Sequence, residues 1–242
     1  MQTQVKLQYK LNYSYKKKLP VIVVAAGNST RMGTNKQFMR IGNYPVIVRT
    51  LAAFENSPTV DRVILVVREE DKFSFQIMLE KYGINKVADI VSGGASRQES
   101  VLNGFRALKG TDSAVLIHDG ARPLVSERII SDVASALEVH KAVTCAVKVK
   151  DTLKKVDQNG KIIKTLDRDS LVAVQTPQGV WVKEYLQAAE KAGRVSAFTD
   201  DTSLMEWAGY DAYIVEGSYK NIKITTPEDI SAAESFLKEE DL

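Results

Sequence analysis

A loop of small and basic residues between positions 25 and 37 is the segment best suited to hold phosphate groups. It reads Ala25-Ala26-Gly27-Asn28-Ser29-Thr30-Arg31-Met32-Gly33-Thr34-Asn35-Lys36-Gln37 and follows an apolar run that predicts a strand. Small residues let backbone N–H groups approach phosphate oxygens, and Arg31 and Lys36 add positive charge. The spacing matches neither G-x-G-x-x-G nor the Walker G-K-[ST] pattern. On glycine and two basic residues alone, an ordinary turn with solvated side chains is an equally good interpretation.

A second set of candidates lies after later strands. Asp119 follows the apolar run 114–117, and ligands of parallel sheets bind where strands end, although Asp is also common in turns. For Arg122, a structural ion pair is nearly as good an interpretation as a functional role. Lys223 alternates with apolar neighbours, as on the solvent face of a strand. His118 is expected to bond backbone and not to catalyse.

The elements that must position these residues alternate between strands and helices. We predict strands near 19–25, 62–67, 86–91, 114–117, 143–147, up to 174, 212–215 and 221–224, and helices near 45–54, 69–82, from 96, 126–139, 181–192, 201–208 and from 226. A capping box of Ser96 and Glu99 is expected to start the third helix. This rhythm predicts an α/β fold, a Rossmann-like three-layer sandwich with a mostly parallel sheet. Residues 20–242 would form that domain.

The alternation is interrupted between about residues 150 and 168. Asp157-Gln158-Asn159-Gly160 separates two β-prone, lysine-rich runs, and Asn-Gly in this setting predicts a hairpin. A polar two-stranded ribbon is marginally stable alone. We therefore expect a protruding β-hairpin arm that packs on a second subunit, as in a homodimer.

The N-terminal extension, residues 1–19, has a period-two pattern. Apolar or aromatic side chains at 5, 7, 9, 11, 13 and 15 alternate with polar ones, which fits an additional edge strand. A tail without a packed structure is an equally good interpretation, and we assign this extension no chemistry.

Composition excludes several classes of protein. The chain has 242 residues, 44% hydrophobic and 26% charged, and a net charge of +3, which is too small to indicate a nucleic-acid partner. One cysteine, Cys145, and two histidines allow neither a disulfide nor a zinc framework. No membrane span or signal peptide is evident. We expect a cytoplasmic protein in which Cys145 packs in a buried strand.

The phosphate loop and several later blocks together resemble a known family. Ala-Ala-Gly-x-x-x-Arg-Met-Gly followed by Lys-Gln-Phe resembles the loop of sugar-phosphate nucleotidyltransferases, and most closely that of the 2-C-methyl-D-erythritol 4-phosphate cytidylyltransferases of the non-mevalonate isoprenoid pathway. The resemblance runs from about Pro20 to Phe236. The supporting blocks are Gly93-Gly94 with Arg97 and Ser100, residues 118–123, 149–152, 167–168, 175–178, 199–201, 215–217 and 221–225.

The resemblance implies a role for each matching position. Ala25, Ala26, Gly27, Asn28 and Ser29 would wrap the CTP phosphates and face the base. Cytosine would be selected with the help of Gly94, Ala95 and Ser100. Ala95 stands where acidic residues are common in the family, so a contact there would come from its backbone. The catalytic residues would be the four cations Arg31, Lys36, Arg168 and Lys223, of which Arg31 and Lys36 would stabilise charge on the α-phosphate. The second substrate would be held by Asp119, Arg122, Thr152, Arg168, Thr176, Thr199 and Lys223.

It further implies that Asp119 lies beside the ribose of the nucleotide or the polyol, and beside Mg²⁺, or another divalent cation, held mainly by the CTP phosphates. Thr152 and Arg168, on or near the arm, would reach the partner's site. The chemistry is consistent with so few histidines. A phosphate monoester has a second pKa of about 6 and is mostly dianionic at neutral pH, so it can attack without a general base. Cancelling negative charge and aligning the reactants are then the main tasks.

Three other functions stay open. A ribitol-5-phosphate cytidylyltransferase would share the fold, CTP and Mg²⁺, but its loop usually reads Ala-Gly-Gly and its later block His-Asp-Ser-Val-Arg-Pro. Here the corresponding residues are Ala25-Ala26-Gly27 and His118-Asp119-Gly120-Ala121-Arg122-Pro123. A non-catalytic nucleotide-binding protein would not need the four basic residues Arg31, Lys36, Arg168 and Lys223. An NAD oxidoreductase is disfavoured by the glycine spacing.

Overall fold

The structure is a computed structural model that describes residues 17–27, 35–110, 112–193 and 198–238. The predictions for the extension before residue 17, and for Asn28, Ser29 and Arg31 in the phosphate loop, lie outside the described residues.

A seven-stranded sheet forms the centre of the fold. In chain order the strands are β1 (Leu19–Val24), β2 (Arg40–Ile41), β3 (Tyr44–Pro45), β4 (Val60–Val67), β5 (Val87–Ser92), β6 (Ala114–Asp119), β7 (Ala142–Lys148), β8 (Lys154–Val156), β9 (Ile162–Thr165), β10 (Val172–Trp181) and β11 (Ala212–Glu216). The sheet order is β11-β7-β10-β6-β1-β4-β5. Neighbouring strands run parallel, except that β10 is antiparallel to both β6 and β7. The predicted mostly parallel sheet is confirmed.

Helices cover both faces of this sheet. They are α1 (Val46–Asn56), α2 (Lys72–Tyr82), α3 (Arg97–Arg106), α4 (Glu127–Ala136), α5 (Val182–Ala192), α6 (Asp201–Trp207) and α7 (Pro227–Lys238). The side chains of β1 alternate between two cores, because Val21 and Val23 pack with α1, α2 and α4 whereas Ile22 packs with α3, α5 and α6. The predicted three-layer sandwich is confirmed. Cys145 is buried in the first core, and burial raises the pKa of its thiol to about 12.

The strand order creates a crevice at one end of the sheet. From β1 the chain moves outward through β4 to β5, and then β6 returns to the opposite side of β1. The connections after β1 and β6 therefore leave in opposite directions, which opens a cleft beyond the carboxyl ends of these strands. Asp119, at the end of β6, pairs with Val24 at the end of β1.

No helix within the described residues is long and apolar enough to cross a membrane.

One predicted strand, over 221–224, is wrong. This segment crosses the end of the sheet: Ile224 N–H donates to Ala121 O, and Asn221 N–H donates to Ser218 O. The side chain of Asn221 is fully buried and donates to Thr176 O at 2.9 Å. Apolar and polar residues alternate here because the segment lies over a core and beside a cleft, not because it joins the sheet.

The predicted hairpin between residues 150 and 168 is present as a separate two-stranded sheet of β8 and β9. Gly160 has φ +81° in the connecting turn, a conformation that favours glycine. Every residue of both strands is exposed, including Val156, Ile162 and Ile163. The hairpin, termed the arm below, is therefore less polar on its surface than its lysines suggested.

Candidate active site

A cleft of about 330 Å³ lies at the crevice between β1 and β6. The loops after β1 and β5 form one wall and are in close contact, because a Cβ added to Gly93 would lie 2.3 Å from the Cβ of Ala26. The described lining residues are Val24, Ala26, Gly27, Lys36, Gln37, Gly94, Ala95, Ser96, Arg97, Ser100, Asp119, Ala121 and Lys223. A larger groove, of about 470 Å³, lies beside α1, but Arg49 is the one charged residue in its described lining. The smaller cleft, whose lining includes Lys36, Arg97 and Lys223, is better suited to phosphate groups than this groove.

The wall formed by residues 93–100 is fixed by its own hydrogen bonds. Ser100 Oγ accepts from Gly94 N–H at 3.0 Å and donates to Ser96 O at 2.9 Å. Ser96 Oγ accepts from Glu99 N–H, as a capping box requires, but the Glu99 carboxylate accepts from Ala95 N–H and not from Ser96. The predicted box is therefore only half formed. Its effect is to fix the backbone of Gly94 and Ala95 at the mouth of the cleft.

Asp119 lies at the floor of the cleft among three cations. Lys223 Nζ is 2.9 Å from Asp119 Oδ2, while Arg97 Nε and Arg122 Nε are each 3.5 Å from a carboxylate oxygen. Burial alone would raise the pKa of Asp119, but Lys223, Arg97 and Arg122 together hold it well below its usual range. The carboxylate therefore stays ionised at neutral pH and fixes the surrounding cations.

Arg97 connects the cleft to the core and was not among the predicted site residues. Its Nη2 is 2.7 Å from Oδ2 of the buried Asp201, whose Oδ1 accepts from Tyr185 Oη at 2.9 Å. Burial opposes the charge of Arg97, but Asp201 and Asp119 raise its pKa. The guanidinium is therefore a permanent, pre-positioned cation. Its place in the first turn of the helix behind Gly93-Gly94 was the available signal.

A chain of hydrogen bonds supports Asp119 from below. Thr176 Oγ1 accepts from Asp119 N–H at 3.0 Å and lies 3.0 Å from His118 Nδ1, while His118 Nε2 lies 3.2 Å from Arg122 O. Burial lowers the pKa of His118 to about 4. The neutral ring therefore donates from Nε2 and accepts at Nδ1 from the Thr176 hydroxyl. Both nitrogens are engaged, so His118 supports the backbone, as predicted.

Lys36 and Lys223 approach the cleft from separate segments. Lys36 Nζ donates to Ile224 O at 3.0 Å, one residue beyond the lysine that binds Asp119. The segment 221–224 is itself connected to the floor, because Arg122 Nη1 donates to Asn221 O at 2.9 Å. Both ammonium groups thus lie along one side of the cleft.

The chain matches the family model described as 2-C-methyl-D-erythritol 4-phosphate cytidylyltransferase over residues 19–239. The chain belongs to the 2-C-methyl-D-erythritol 4-phosphate cytidylyltransferase family. A relative of that name from Bacillus mycoides (strain KBAB4) is 46% identical over 221 residues, which span 90% of this chain and 96% of the relative. Another, from Clostridium novyi (strain NT), is 44% identical over 90% of this chain and 95% of its own length.

Solved structures agree with this membership. The 4-diphosphocytidyl-2C-methyl-D-erythritol synthase of Anaerococcus prevotii DSM 20548 is 34% identical with a TM-score of 0.81, and the match covers 92% of this chain and 96% of that one. The 2-C-methyl-D-erythritol 4-phosphate cytidylyltransferase of Thermus thermophilus is 28% identical with a TM-score of 0.75, over 92% of this chain and all of that one.

The cytidylyltransferase fold brings some of the predicted site residues together and leaves others apart. Ala26, Gly27, Lys36, Gly94, Ala95, Ser100, Asp119 and Lys223 line the cleft. Ala25 is buried beneath it, and Thr176 is buried below Asp119. Thr152, Arg168 and Thr199 are exposed and lie outside the described lining. Arg168 Nη1 donates to Lys150 O at the base of the arm. Within one chain, the arm residues are not part of the described cleft lining.

Proposed function

We propose that this protein transfers CMP from CTP to 2-C-methyl-D-erythritol 4-phosphate and releases pyrophosphate. The observation that carries the proposal is the cleft itself, in which a small-residue loop and three cations surround one ionised carboxylate at the carboxyl ends of β1 and β6. The named relatives and the family model support the same substrates.

The reaction forms one bond and breaks one. A phosphate oxygen of the polyol phosphate attacks the α-phosphorus of CTP, and the bond from that phosphorus to the bridging oxygen of pyrophosphate breaks. The attacking group is already dianionic, so no proton must be removed. This agrees with the state of His118, whose two ring nitrogens are both engaged below the cleft. Lys36 would stabilise charge on the α-phosphate, and Lys223 would hold the second phosphate.

The residues present also fit a divalent cation. Within the described residues, no group of three or more His, Cys, Asp or Glu side chains is placed to hold a metal. Asp119 is the acidic side chain in the described cleft lining, and an ionised carboxylate is a ligand that Mg²⁺ prefers. We infer that Asp119 would lie beside a Mg²⁺ ion held mainly by the CTP phosphates. Bound there, the ion would offset phosphate charge.

We further propose a homodimer in which the arm completes the partner's cleft with Thr152 and Arg168. The arm exposes Val156, Ile162 and Ile163 to between 52% and 57% of their surface, and a two-stranded sheet with an uncovered apolar surface is marginally stable alone. A partner subunit would cover that surface. We also propose a cytoplasmic location. The need for CTP and the free cysteine Cys145 support it.

Pyrophosphate release with CTP and Mg²⁺ tests the function. Parallel assays would contain 2-C-methyl-D-erythritol 4-phosphate, ribitol 5-phosphate or no acceptor. We expect release with the first acceptor alone. Release with ribitol 5-phosphate alone would assign the enzyme to the ribitol alternative. Folded protein that binds CTP but releases no pyrophosphate with either acceptor would contradict a transferase activity on these substrates.

A further inference from the structure

The turn that carries Lys36 is held to the start of α2 by two separate contacts. Asn35 Nδ2 donates to Asp71 Oδ2 at 2.8 Å. Three residues later, the Phe38 ring lies 5.0 Å from the ring of Phe75, which is fully buried. Asp71 and Phe75 are one helical turn apart. The start of α2 therefore supports both ends of the turn.

Asn35 also fixes the backbone around Lys36. Its Oδ1 accepts from Gln37 N–H at 3.1 Å, and its backbone carbonyl accepts from Phe38 N–H at 3.1 Å. Gln37 is itself buried, and its carbonyl accepts from Ile47 N–H at 3.2 Å. Lys36 thus lies between two residues that are bonded to each other and to the body of the protein.

Asp71 is in turn held from the other side. Its Oδ2 accepts from Arg68 Nε at 2.7 Å as well as from Asn35, and the residue is 9% exposed. Arg68 directly follows β4. The contacts therefore connect the end of a central strand, through Arg68, Asp71 and Asn35, to the backbone of Lys36. At its far end, the Lys36 ammonium is bonded to Ile224 O.

We propose that Asn35 and Asp71 are positioning residues that set where the Lys36 ammonium lies in the cleft. The inference rests on the proposed function, because it matters for turnover only if Lys36 stabilises the transition state. A small displacement of a positioned group can cost about a hundredfold in rate. Loss of the Asn35–Asp71 bond should therefore lower kcat more than it lowers the affinity for CTP.

A charge exchange between the two residues tests the inference. Asn35→Asp places two carboxylates against each other but keeps the acceptor for Gln37 N–H, and we expect kcat to fall about 10- to 100-fold. Adding Asp71→Asn restores a donor and an acceptor across the contact with the original net charge, and kcat should return to within about threefold of wild type. Asn43→Asp, on the exposed turn between β2 and β3, is the control for an added negative charge. Urea unfolding of each variant separates a loss of fold from a loss of rate, and Asn35→Ala is the alternative if Asn35→Asp does not fold.

Combination with Lys36→Ala shows whether Asn35 acts through the lysine. Product formation from radiolabelled CTP would be measured in Lys36→Ala with and without Asn35→Asp. We expect Asn35→Asp to lower the rate of Lys36→Ala by less than about a further twofold, because the position of the ammonium cannot matter once the lysine is removed. A further loss of about tenfold, or no rescue by the charge exchange, would overturn the positioning role while leaving the proposed function intact. Near-normal kcat in Lys36→Ala alone would instead reject the role proposed for Lys36, and the positioning role with it.

Discussion

Asp119 in the cleft and Arg168 at the base of the arm are both candidate substrate residues, but their surroundings differ. Asp119 is 7% exposed, has three cationic neighbours and donates a hydrogen bond from its backbone N–H to Thr176. Arg168 is exposed and donates to the backbone of Lys150 in the same arm. The cleft is arranged within one chain before substrate arrives, whereas the arm has an uncovered apolar surface. Under the proposed function, the described part of the cleft has its polar contacts within one chain, whereas the arm would need a second surface.

The largest expected effect comes from removing charge from the cleft. Lys36→Ala should lower kcat about 100- to 1000-fold, the usual cost of deleting one group that stabilises transition-state charge. The fold should survive, because the Lys36 side chain is only partly buried and contributes to none of the three apolar clusters. Pyrophosphate release and urea unfolding would be measured together. Lys183→Ala, on α5 and away from the described cleft lining, is the matched control. Near-normal turnover in Lys36→Ala would contradict a catalytic role for this side of the cleft.

Mixing two inactive variants tests whether the arm serves its own cleft or the partner's. Lys36→Ala changes a residue of the body, meaning the part of the chain outside the arm, and Arg168→Ala changes a residue at the base of the arm. If sites are shared, random reassociation makes half the dimers mixed, and one of the two sites in each mixed dimer has both residues. About a quarter of wild-type activity should then return after the variants are unfolded and refolded together.

No recovery, in a mixture shown by differently tagged chains to contain mixed dimers, would place Lys36 and Arg168 of the same chain in one site. A chain that stays monomeric at micromolar concentration in size-exclusion chromatography with light scattering would contradict the dimer itself.

The cleft was more predictable from sequence than its supports were. Lys36, Asp119 and the 93–100 segment could be placed because short motifs follow apolar strands, and strand ends meet at one edge of a sheet. Arg97 was not selected, since its partner Asp201 is 104 residues away and no local pattern connects them. The strand predicted over 221–224 was wrong because a period-two pattern records burial on alternate sides and not hydrogen bonding to a neighbouring strand.

For the arm the opposite holds. Asn159-Gly160 predicted the turn correctly because the signal is local, and the hairpin formed where expected. What Ile162 and Ile163 contact depends on a surface outside the arm, and hydrophobicity alone does not specify which one. The expected placement of Thr152 and Arg168 in a partner's cleft therefore stays a prediction.

The smallest expected effect is a pH dependence of stability that originates in the body of the protein and not in the arm. Both histidines lie in the body of the protein and none in the arm. Because burial lowers the pKa of His118 to about 4, the unfolded chain, with an ordinary value of about 6.5, takes up the proton first as the pH falls. The stability that comes from the neutral ring is complete above about pH 6.5 and is lost progressively between about 6.5 and 4. Urea unfolding should therefore show that the free energy of unfolding at about pH 5 is about 2 kcal/mol lower than at neutral pH.

His118→Gln should remove most of this pH dependence, because glutamine can donate to Arg122 O but does not titrate. His140 is the matched control. Burial also lowers its pKa, but the ring is only partly buried and stacks on Tyr213, so His140→Gln should keep most of the slope. Equal slopes in wild type and His118→Gln would show that protonation of His118 does not limit stability in acid. In that case, disruption of the hydrogen-bond chain below Asp119 would not cause the loss of stability at low pH.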